Sequence, residues 1–314
     1  MKLLLTGSTG FLGRALQKKL DDHLTILTSR SGEMENSSQF FRKTISSEEN
    51  FSDCLNDVDV VIHTAARVHQ MNDLAEDPSS EFMETNCFGT LNLARQAASA
   101  GVKRFIFLSS IKVNGEQSHP DKPFRFDDLR KPADPYGISK ARAEEGLVKI
   151  AAETKLEVTI IRPPLVYGPD VKANFAALLR LASKNVPLPL GSVHNRRSFV
   201  ALDNLVSLIV TCIDHPKAAN QIFLVSDDDD VSTVKLFTIM VEAFGKEARL
   251  FSISPFLLRG IARLVGKESI IDRLCGDLRL DIGHTKKTVD WTPVVSVADG
   301  VKICVSKSLT NKQY

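Results

Sequence analysis

Three glycines spaced three residues apart, Gly7, Gly10 and Gly13, separate an apolar run, Lys2-Leu3-Leu4-Leu5, from a stretch of helical periodicity, Phe11 to Leu20. No other feature of the chain limits its fold so tightly. An apolar run without alternation reads as a parallel strand buried on both faces. Leu12, Ala15, Leu16 and Leu20 then recur on one helical face. Glycines in the intervening loop let the backbone turn sharply and approach an anion. The last of them allows helix and strand to pack closely, and the helix N-terminus offers N–H groups to a phosphate. The spacing is G-x-x-G-x-x-G, not the G-x-G-x-x-G of the general dinucleotide fingerprint. Strands alternate with helices to about residue 165, the pattern of an α/β doubly wound parallel sheet. A Rossmann-type fold that binds a dinucleotide is the expectation.

The end of the second strand, His23 to Thr28, bears on which dinucleotide. An acid about 20 residues past the loop would accept the ribose hydroxyls of NAD. This chain has Ser29-Arg30-Ser31. Arginine suits a 2′-phosphate through its charge and planar donor fork, so NADP(H) is favoured over NAD(H).

A further apolar run, Val102 to Leu108, ends in Ser109-Ser110. Strand ends at the carboxyl edge of such a sheet face the cofactor crevice, and a hydroxyl there can bond a substrate oxygen. Asp134 can cap a helix whose first turn holds Pro135. Tyr136 and Lys140 then stand at i and i+4 on one helical face. A free tyrosine has a pKa of about 10. A lysine cation, a helix N-terminus and an oxidised nicotinamide all favour its phenolate, which is the tuning a general acid/base requires.

With these residues in view the chain resembles the extended short-chain dehydrogenases/reductases of the nucleotide-sugar epimerase/dehydratase type, over nearly its whole length. Thr6 to Gly13 matches the family glycine loop, and His63-Thr64-Ala65-Ala66 the segment that passes the cofactor. Asn86 with Gly89-Thr90-Leu91-Asn92-Leu93 matches the Asn-x-x-Gly-Thr helix. Ser109-Ser110 with Val113 and Gly115 matches the serine strand, Tyr136 and Lys140 the catalytic pair, and Arg162 to Pro169 the segment opening the substrate side. Arg197-Ser198-Phe199-Val200 with Asp203 matches a stretch whose arginine binds the nucleotide diphosphate, and Asp290-Trp291-Thr292-Pro293 a closing motif. The resemblance implies Ser110, Tyr136 and Lys140 as catalytic residues. It implies a cofactor site of Gly7, Thr9, Gly10, Phe11, Leu12, Gly13, Ser29, Arg30, Thr64, Ala65, Ala66, Asn86, Ser109, Tyr136, Lys140 and Pro163. It implies substrate contacts from Ser110, Lys112, Asn174 and Arg197. Relatives often dimerise through two helices, here Glu81 to Ala100 and Tyr136 to Glu153, with Ala94, Ala97, Ala98, Ala141, Ala143 and Ala151 on a potential outer face; a homodimer is expected. Three departures stand out. Ile111-Lys112 follow the serine where dehydratases carry an acidic pair, Asn114 stands where hexose epimerases carry tyrosine, and Leu165 stands where both carry asparagine.

The 314 residues suffice for a dinucleotide domain, residues 1–165 rejoined by 201–225, and a smaller C-terminal substrate-binding lobe, residues 166–200 and 226–314. A net charge of +2 without a basic block gives no reason to expect nucleic acid or a membrane surface. Five scattered cysteines with no C-x-x-C predict free thiols in a reducing cytoplasm. The first strand starts at residue 2 and no apolar run reaches membrane-spanning length, which fits a cytoplasmic location. The histidines form no H-x-x-x-H, so no metal is expected. Polar insertions are read at His69 to Ser80, beside the site, and at Gly115 to Asp134. In the C-terminal part, helices are read at Phe175 to Ala182, Leu202 to Ile213, Leu236 to Phe244 and Phe256 to Val265, an extended piece at Pro187 to Gly191 and a strand at Gln221 to Val225. The leading functional reading is a 4-ketoreductase using NADPH on a UDP-linked 4-keto sugar, because Arg30 favours the exchangeable reductant. The alternative is a UDP-sugar 4-epimerase. A steroid-like or small-aldehyde reductase and a non-catalytic dinucleotide sensor are the further readings, and the intact Ser110, Tyr136 and Lys140 count against a sensor.

Overall fold

The computed structural model describes residues 1–20, 23–30, 39–68, 77–254 and 274–310, with Leu257, Gly260, Arg263 and Asp272 as isolated positions. The helix read at Phe256 to Val265 and most of the insertion read at His69 to Ser80 lie outside the described residues. So does Ser31.

Seven parallel strands form the main sheet. They are β1 (Lys2–Thr6), β2 (Leu24–Ser29), β3 (Phe40–Arg42), β4 (Val60–His63), β5 (Arg104–Leu108), β6 (Glu157–Arg162) and β9 (Gln221–Leu224), in the spatial order β3-β2-β1-β4-β5-β6-β9. The strand read at Gln221 to Val225 does join the sheet, beside β6. Strand order reverses between β1 and β4, the point at which open parallel sheets bind ligands at their carboxyl ends. The apolar runs alternate between faces, as a pleat demands. Leu3 and Leu5 of β1 enter one core with Ile106 and Ile161, whereas Leu4 enters the other with Phe105, Phe107 and Ile160.

Helix α1 (Phe11–Gln17) and helix α6 (Leu202–Asp214) cover the first face. The second is covered by a helical run of α2 (Pro78–Phe82), a π-helical stretch (Met83–Gly89) and α3 (Thr90–Ser99), together with α4 (Pro135–Glu153). A third core gathers Tyr167, Phe175 and Leu179 with Phe237, Met240, Val301 and Val305. It is built from α5 (Ala173–Lys184), α7 (Thr233–Ala243) and the C-terminal α9 (Val297–Thr310); a shorter α8 (Gly283–Val289) precedes α9. A two-stranded parallel sheet, β7 (Leu165–Tyr167) with β8 (Phe199–Ala201), connects this part to α6. The extended piece at Pro187 to Gly191 reduces to one bridge, Leu188 with Leu250.

The six alanines read as an outer face do not form one. Ala94, Ala97 and Ala143 are fully buried against the sheet, Ala141 is 4% exposed, and Ala98 and Ala151 are partly buried against the same core. Small residues let α3 and α4 sit close to the strands, so the inward face of each helix carries the alanines.

Close packing also fixes the glycine loop. A Cβ at Gly13 would stand 2.2 Å from the Gly7 carbonyl oxygen and 2.8 Å from Ser8 Cα, so the first turn of α1 can approach β1 only with glycine there. Gly13→Ala should therefore lower stability by about 1–3 kcal/mol or more, as overpacking against backbone does. Urea denaturation monitored by circular dichroism checks this; an unchanged midpoint would mean that the loop yields freely.

Candidate active site

Tyr136 and Lys140 lie in the first two turns of α4, which starts where the sequence places its cap. Asp134 Oδ1 accepts the Gly137 N–H at 2.7 Å and Pro135 occupies the first turn. Ser110 follows β5 and caps a 3₁₀ turn, Ile111–Val113, its hydroxyl accepting the Lys112 N–H at 3.3 Å. The Ser110 side chain lies near enough to the Tyr136 phenol to pull its pKa down. The predicted catalytic serine and tyrosine therefore meet.

Lys140 behaves differently from the expectation. It is 2% exposed, its Nζ donates to the Leu108 carbonyl at 2.8 Å, and the same atom stands 4.5 Å from the centroid of the Phe107 ring. Burial pushes its pKa down to about 7, against a smaller upward pull from Glu144. Tyr136 is pushed up to about 12 by burial first, then by Asp134, with the Ser110 hydrogen bond opposing. Burial first, and Asp134 second, thus hold the tyrosine toward phenol; of the groups expected to favour phenolate, the oxidised nicotinamide belongs to the cofactor and not to the chain. Nearby His63 is fully buried and pushed down to about 3, by burial and then by Lys140. It bridges Thr6 Oγ1 at 2.7 Å and Thr90 Oγ1 at 2.9 Å as a neutral ring.

Behind the catalytic helix lies a network that the sequence reading missed. The Glu144 carboxylate, 0% exposed, accepts Arg162 Nε at 2.9 Å and Nη2 at 2.6 Å, the Ser109 hydroxyl at 2.6 Å and Arg130 Nε at 3.1 Å. Arg162 Nη1 donates to Asn114 Oδ1 at 2.9 Å. Ser109, read as a cofactor residue, spends its hydroxyl on Glu144 and its N–H on the Ile161 carbonyl. Asn86, also read as a cofactor residue, clamps Arg67 from both sides, accepting its N–H at 2.8 Å and donating to its carbonyl at 3.0 Å. It also reaches Ser139 of α4 at 3.1 Å.

One cavity brings together Gly7, Thr9, Gly10, Ser29, Arg30, Thr64, Ala65 and Ala66, with Ile45 and Thr85 completing its wall. Neither Ile45 nor Thr85 belongs to a recognisable motif. Thr9 Oγ1 and Ser29 Oγ are 2.7 Å apart, and the Thr64 hydroxyl donates to the Thr6 carbonyl at 2.7 Å. The cavity, about 170 Å³, is of a size for part of a dinucleotide, and its glycine-loop wall suits the phosphate and ribose end. Gly7 lies at φ +70°, where a Cβ would strike Ala65 N at 2.8 Å. Phe11 and Leu12 open α1 at the cavity edge, where first-turn N–H groups have no intrahelical acceptor. Among the described residues no carboxylate lines the cavity, and Arg30 is the one charged residue that does. Pro163 is buried and its carbonyl accepts the Ile111 N–H at 2.9 Å.

The substrate-side residues are not gathered at the catalytic trio. Lys112 Nζ is paired with Asp134 Oδ2. Asn174 is exposed in the first turn of α5. Arg197 bridges Val231 and Leu278 through its backbone, and its Nη1 donates to the Gly276 carbonyl at 2.8 Å.

A model of the NAD dependent epimerase/dehydratase family matches residues 3–226. The chain belongs to this family. It is 47% identical over 305 residues to the UDP-glucose 4-epimerase of Vibrio cholerae, a match that covers 96% of this chain and 93% of that protein. The UDP-glucose 4-epimerase of Mycolicibacterium smegmatis is 28% identical over 326 residues, 96% of each chain. Among solved structures, a UDP-glucose 4-epimerase from Thermotoga maritima with UDP-glucose gives a TM-score of 0.79 at 23% identity, over 99% of this chain and 100% of that one. The UDP-glucuronic acid 4-epimerase from Bacillus cereus in complex with NAD gives 0.80 at 21% identity, over 99% of both. These likenesses show the same overall fold.

Burial of Lys140 has a measurable consequence. The unfolded chain binds a proton at this site up to the ordinary lysine value of 10.5, whereas the folded protein releases it near 7. Between those values the unfolded state holds more protons, so the site's contribution to stability rises with pH, and its cost is largest below about pH 7. Lys140→Met should therefore be stabilised relative to wild type, most below pH 7 and least near pH 10. Chemical denaturation across that range checks it; a difference independent of pH would contradict the assignment.

Proposed function

We propose that this protein is a UDP-sugar 4-epimerase. The observation that carries the reading is the intact set of Ser110, Tyr136 and Lys140 on a sheet whose glycine loop lines a cavity, in a chain 47% identical over nearly its full length to a UDP-glucose 4-epimerase. Residues 1–165 with 201–225 would hold the dinucleotide, and residues 166–200 and 226–314 the sugar nucleotide, with Lys112, Asn174 and Arg197 as its proposed contacts.

In this reading a bound nicotinamide supplies the two-electron exchange at C4 of the sugar. Tyr136 takes the proton of the C4 hydroxyl as C4 is oxidised, and returns a proton when the 4-keto sugar is reduced on its other face. Ser110 donates to the same oxygen and holds it against the phenol. Lys140, buried and one helical turn on, adds positive charge that favours phenolate when it is protonated. The Gly7–Gly13 loop and the first turn of α1 would hold the pyrophosphate, and Ser29 and Arg30 the adenosine ribose.

One observation favours a second reading, a 4-ketoreductase drawing on NADPH. Arg30 lines the cavity and, among the described residues, no carboxylate does, an arrangement that suits a 2′-phosphate. Two measurements separate the readings. An epimerase converts UDP-glucose to UDP-galactose, or the N-acetylated pair, without added reductant and releases NAD on denaturation. A reductase consumes NADPH with a UDP-4-keto sugar and is purified without dinucleotide. Tyr136→Phe should lower turnover about 10²–10⁴-fold while cofactor affinity stays within a few-fold; a loss below tenfold would remove Tyr136 from the proton transfer. Arg30→Ala should lower the NADPH-to-NADH affinity ratio measured by calorimetry, and an unchanged ratio would reject the phosphate contact.

A homodimer is also proposed, with a contact different from the alanine face. Phe88 and Val148, each 48% exposed, and Ile138, 41% exposed, lie on the outward side of the adjacent helical run and α4. In light scattering, wild type should weigh two chains and Phe88→Glu one; a wild-type mass of one chain at micromolar concentration would reject the dimer. Among the described residues no helix is long and apolar enough to cross a membrane, and the cysteines are free, which supports a place in the cytoplasm.

A further inference from the structure

The approach to Tyr136 carries an ion pair, Lys112 with Asp134, whose effect on the tyrosine is separate from the substrate contact proposed above for Lys112. Asp134 stands two residues before the tyrosine as the N-cap of α4. One of its oxygens accepts the Gly137 N–H at 2.7 Å, and the other is paired with Lys112 Nζ. Lys112 follows Ser110 by two residues and lies 3.6 Å from Glu116 Oε1. Its backbone presses on the same helical turn: a Cβ at Gly137 would sit 3.0 Å from the Lys112 carbonyl oxygen. One ion pair thus joins the serine segment to the start of the tyrosine helix.

We propose that Lys112 and Asp134 together set the proton affinity of Tyr136, Asp134 holding it as phenol and Lys112 limiting that hold by neutralising Asp134. Both act through Tyr136 and are positioning residues, not catalytic ones. The proposal rests on the reading of Tyr136 as the proton carrier for its functional meaning, though not for the coupling itself.

The other charged groups around the tyrosine are compensated or set back. Lys140 lies one turn on and is turned to the Leu108 carbonyl. Glu144 beyond it is paired with Arg162. On the α2 side, the Phe82 ring stands edge-on to Tyr136, centroids 6.1 Å apart. Arg67 lies over that ring at 5.9 Å and is paired with Glu81 at 3.5 Å. Among the described residues Asp134 is the carboxylate that raises the tyrosine's pKa, second in weight to burial. The pair is partly exposed, 38% for Lys112 and 28% for Asp134, so water screens it and its effect is a trim on a shift that burial dominates.

Asparagine caps helices as well as aspartate does, so Asp134→Asn removes the charge and keeps the Gly137 hydrogen bond. Lys112→Met exposes the Asp134 charge to the tyrosine. The chain has three tyrosines, Tyr136, Tyr167 and Tyr314. Subtracting a Tyr136→Phe trace therefore isolates the tyrosinate absorbance of Tyr136. A stopped-flow pH jump on the purified full chain reads it before unfolding at high pH. Asp134→Asn should lower the Tyr136 midpoint and Lys112→Met should raise it, each by on the order of one unit or less, and the double variant should fall between them. Turnover of the sugar nucleotide against pH should move in the same directions.

If Asp134→Asn leaves the midpoint where it was, or if both single variants move it the same way, the coupling is overturned whatever turnover does. If the midpoint moves as expected while the rate profile stays fixed, the coupling stands and it is Tyr136's role as proton carrier that fails.

Discussion

The site is organised around an ion pair that never meets solvent. Glu144 and Arg162 have side-chain exposures of 0% and 1% and share two hydrogen bonds. Removing two charges from water is costly, and the attraction repays it only when the remaining lone pairs and protons are also bonded. Here they are. The carboxylate takes four donors, which fills its capacity, and the guanidinium reaches on to Asn114 Oδ1 and, at 3.3 Å, to the Phe126 carbonyl. The partners come from α4, from the end of β6, from the residue after β5, and from the segment between residues 114 and 130. These pieces include the ones that carry Tyr136 and Ser110. Loss of either partner would leave an unpaired buried charge at their meeting point, a defect of about 3–5 kcal/mol. The placement of Tyr136 and Ser110 therefore depends on a contact that neither of them makes.

The same desolvation acts on the groups next to the pair. Lys140 and His63 share the space over Phe107. His63 stays neutral, its ring stacked on Phe107 at 5.9 Å. Lys140 sits near neutrality, in reach of either protonation state at physiological pH. A lysine poised in this way responds to any added charge nearby, including a positively charged ring held against the sheet edge. Tyr136 begins as phenol and must be brought down before it can accept a proton. The low dielectric that raises it also enlarges each interaction available to lower it.

Much of this was legible in the residues, for reasons that separate local from long-range information. The glycine loop and its flanking strand and helix are a local pattern, and the structure realises them where the sequence puts them. Tyr136 and Lys140 needed only a helix start, which Asp134 and Pro135 announce. Glu144 was not legible. In Ala143-Glu144-Glu145 it reads as one of two surface acids, and only the fold shows that Glu144 turns inward while Glu145 remains 40% exposed. Arg162 likewise looked like part of a substrate-side motif because strand pairing, not sequence distance, puts it beside α4. The alanines of α3 and α4 were misplaced because a stripe of small residues is ambiguous between an interface and a close helix–sheet contact. Here the sheet claims them. The β7–β8 pair is a contact across 30 or more residues between three-residue strands, too short to show a period.

The three departures from the family pattern take on different weights once they are placed. Asn114 is 2% exposed and bonded to Arg162 and to the Arg125 carbonyl. A change from tyrosine at this position alters the buried hub and the loop anchored to it, and bears little on what the pocket can accept. It is therefore a weak argument against an epimerase. Lys112 stands where dehydratases carry an acid, and it is paired with Asp134, the helix cap two residues before Tyr136. Leu165 is at the start of β7, on the segment that opens toward the lobe, and an asparagine's donor and acceptor are missing there. Leu165 and Lys112, each 38% exposed, are thus the two changes that a bound molecule could touch directly, whereas Asn114 acts only through the buried hub.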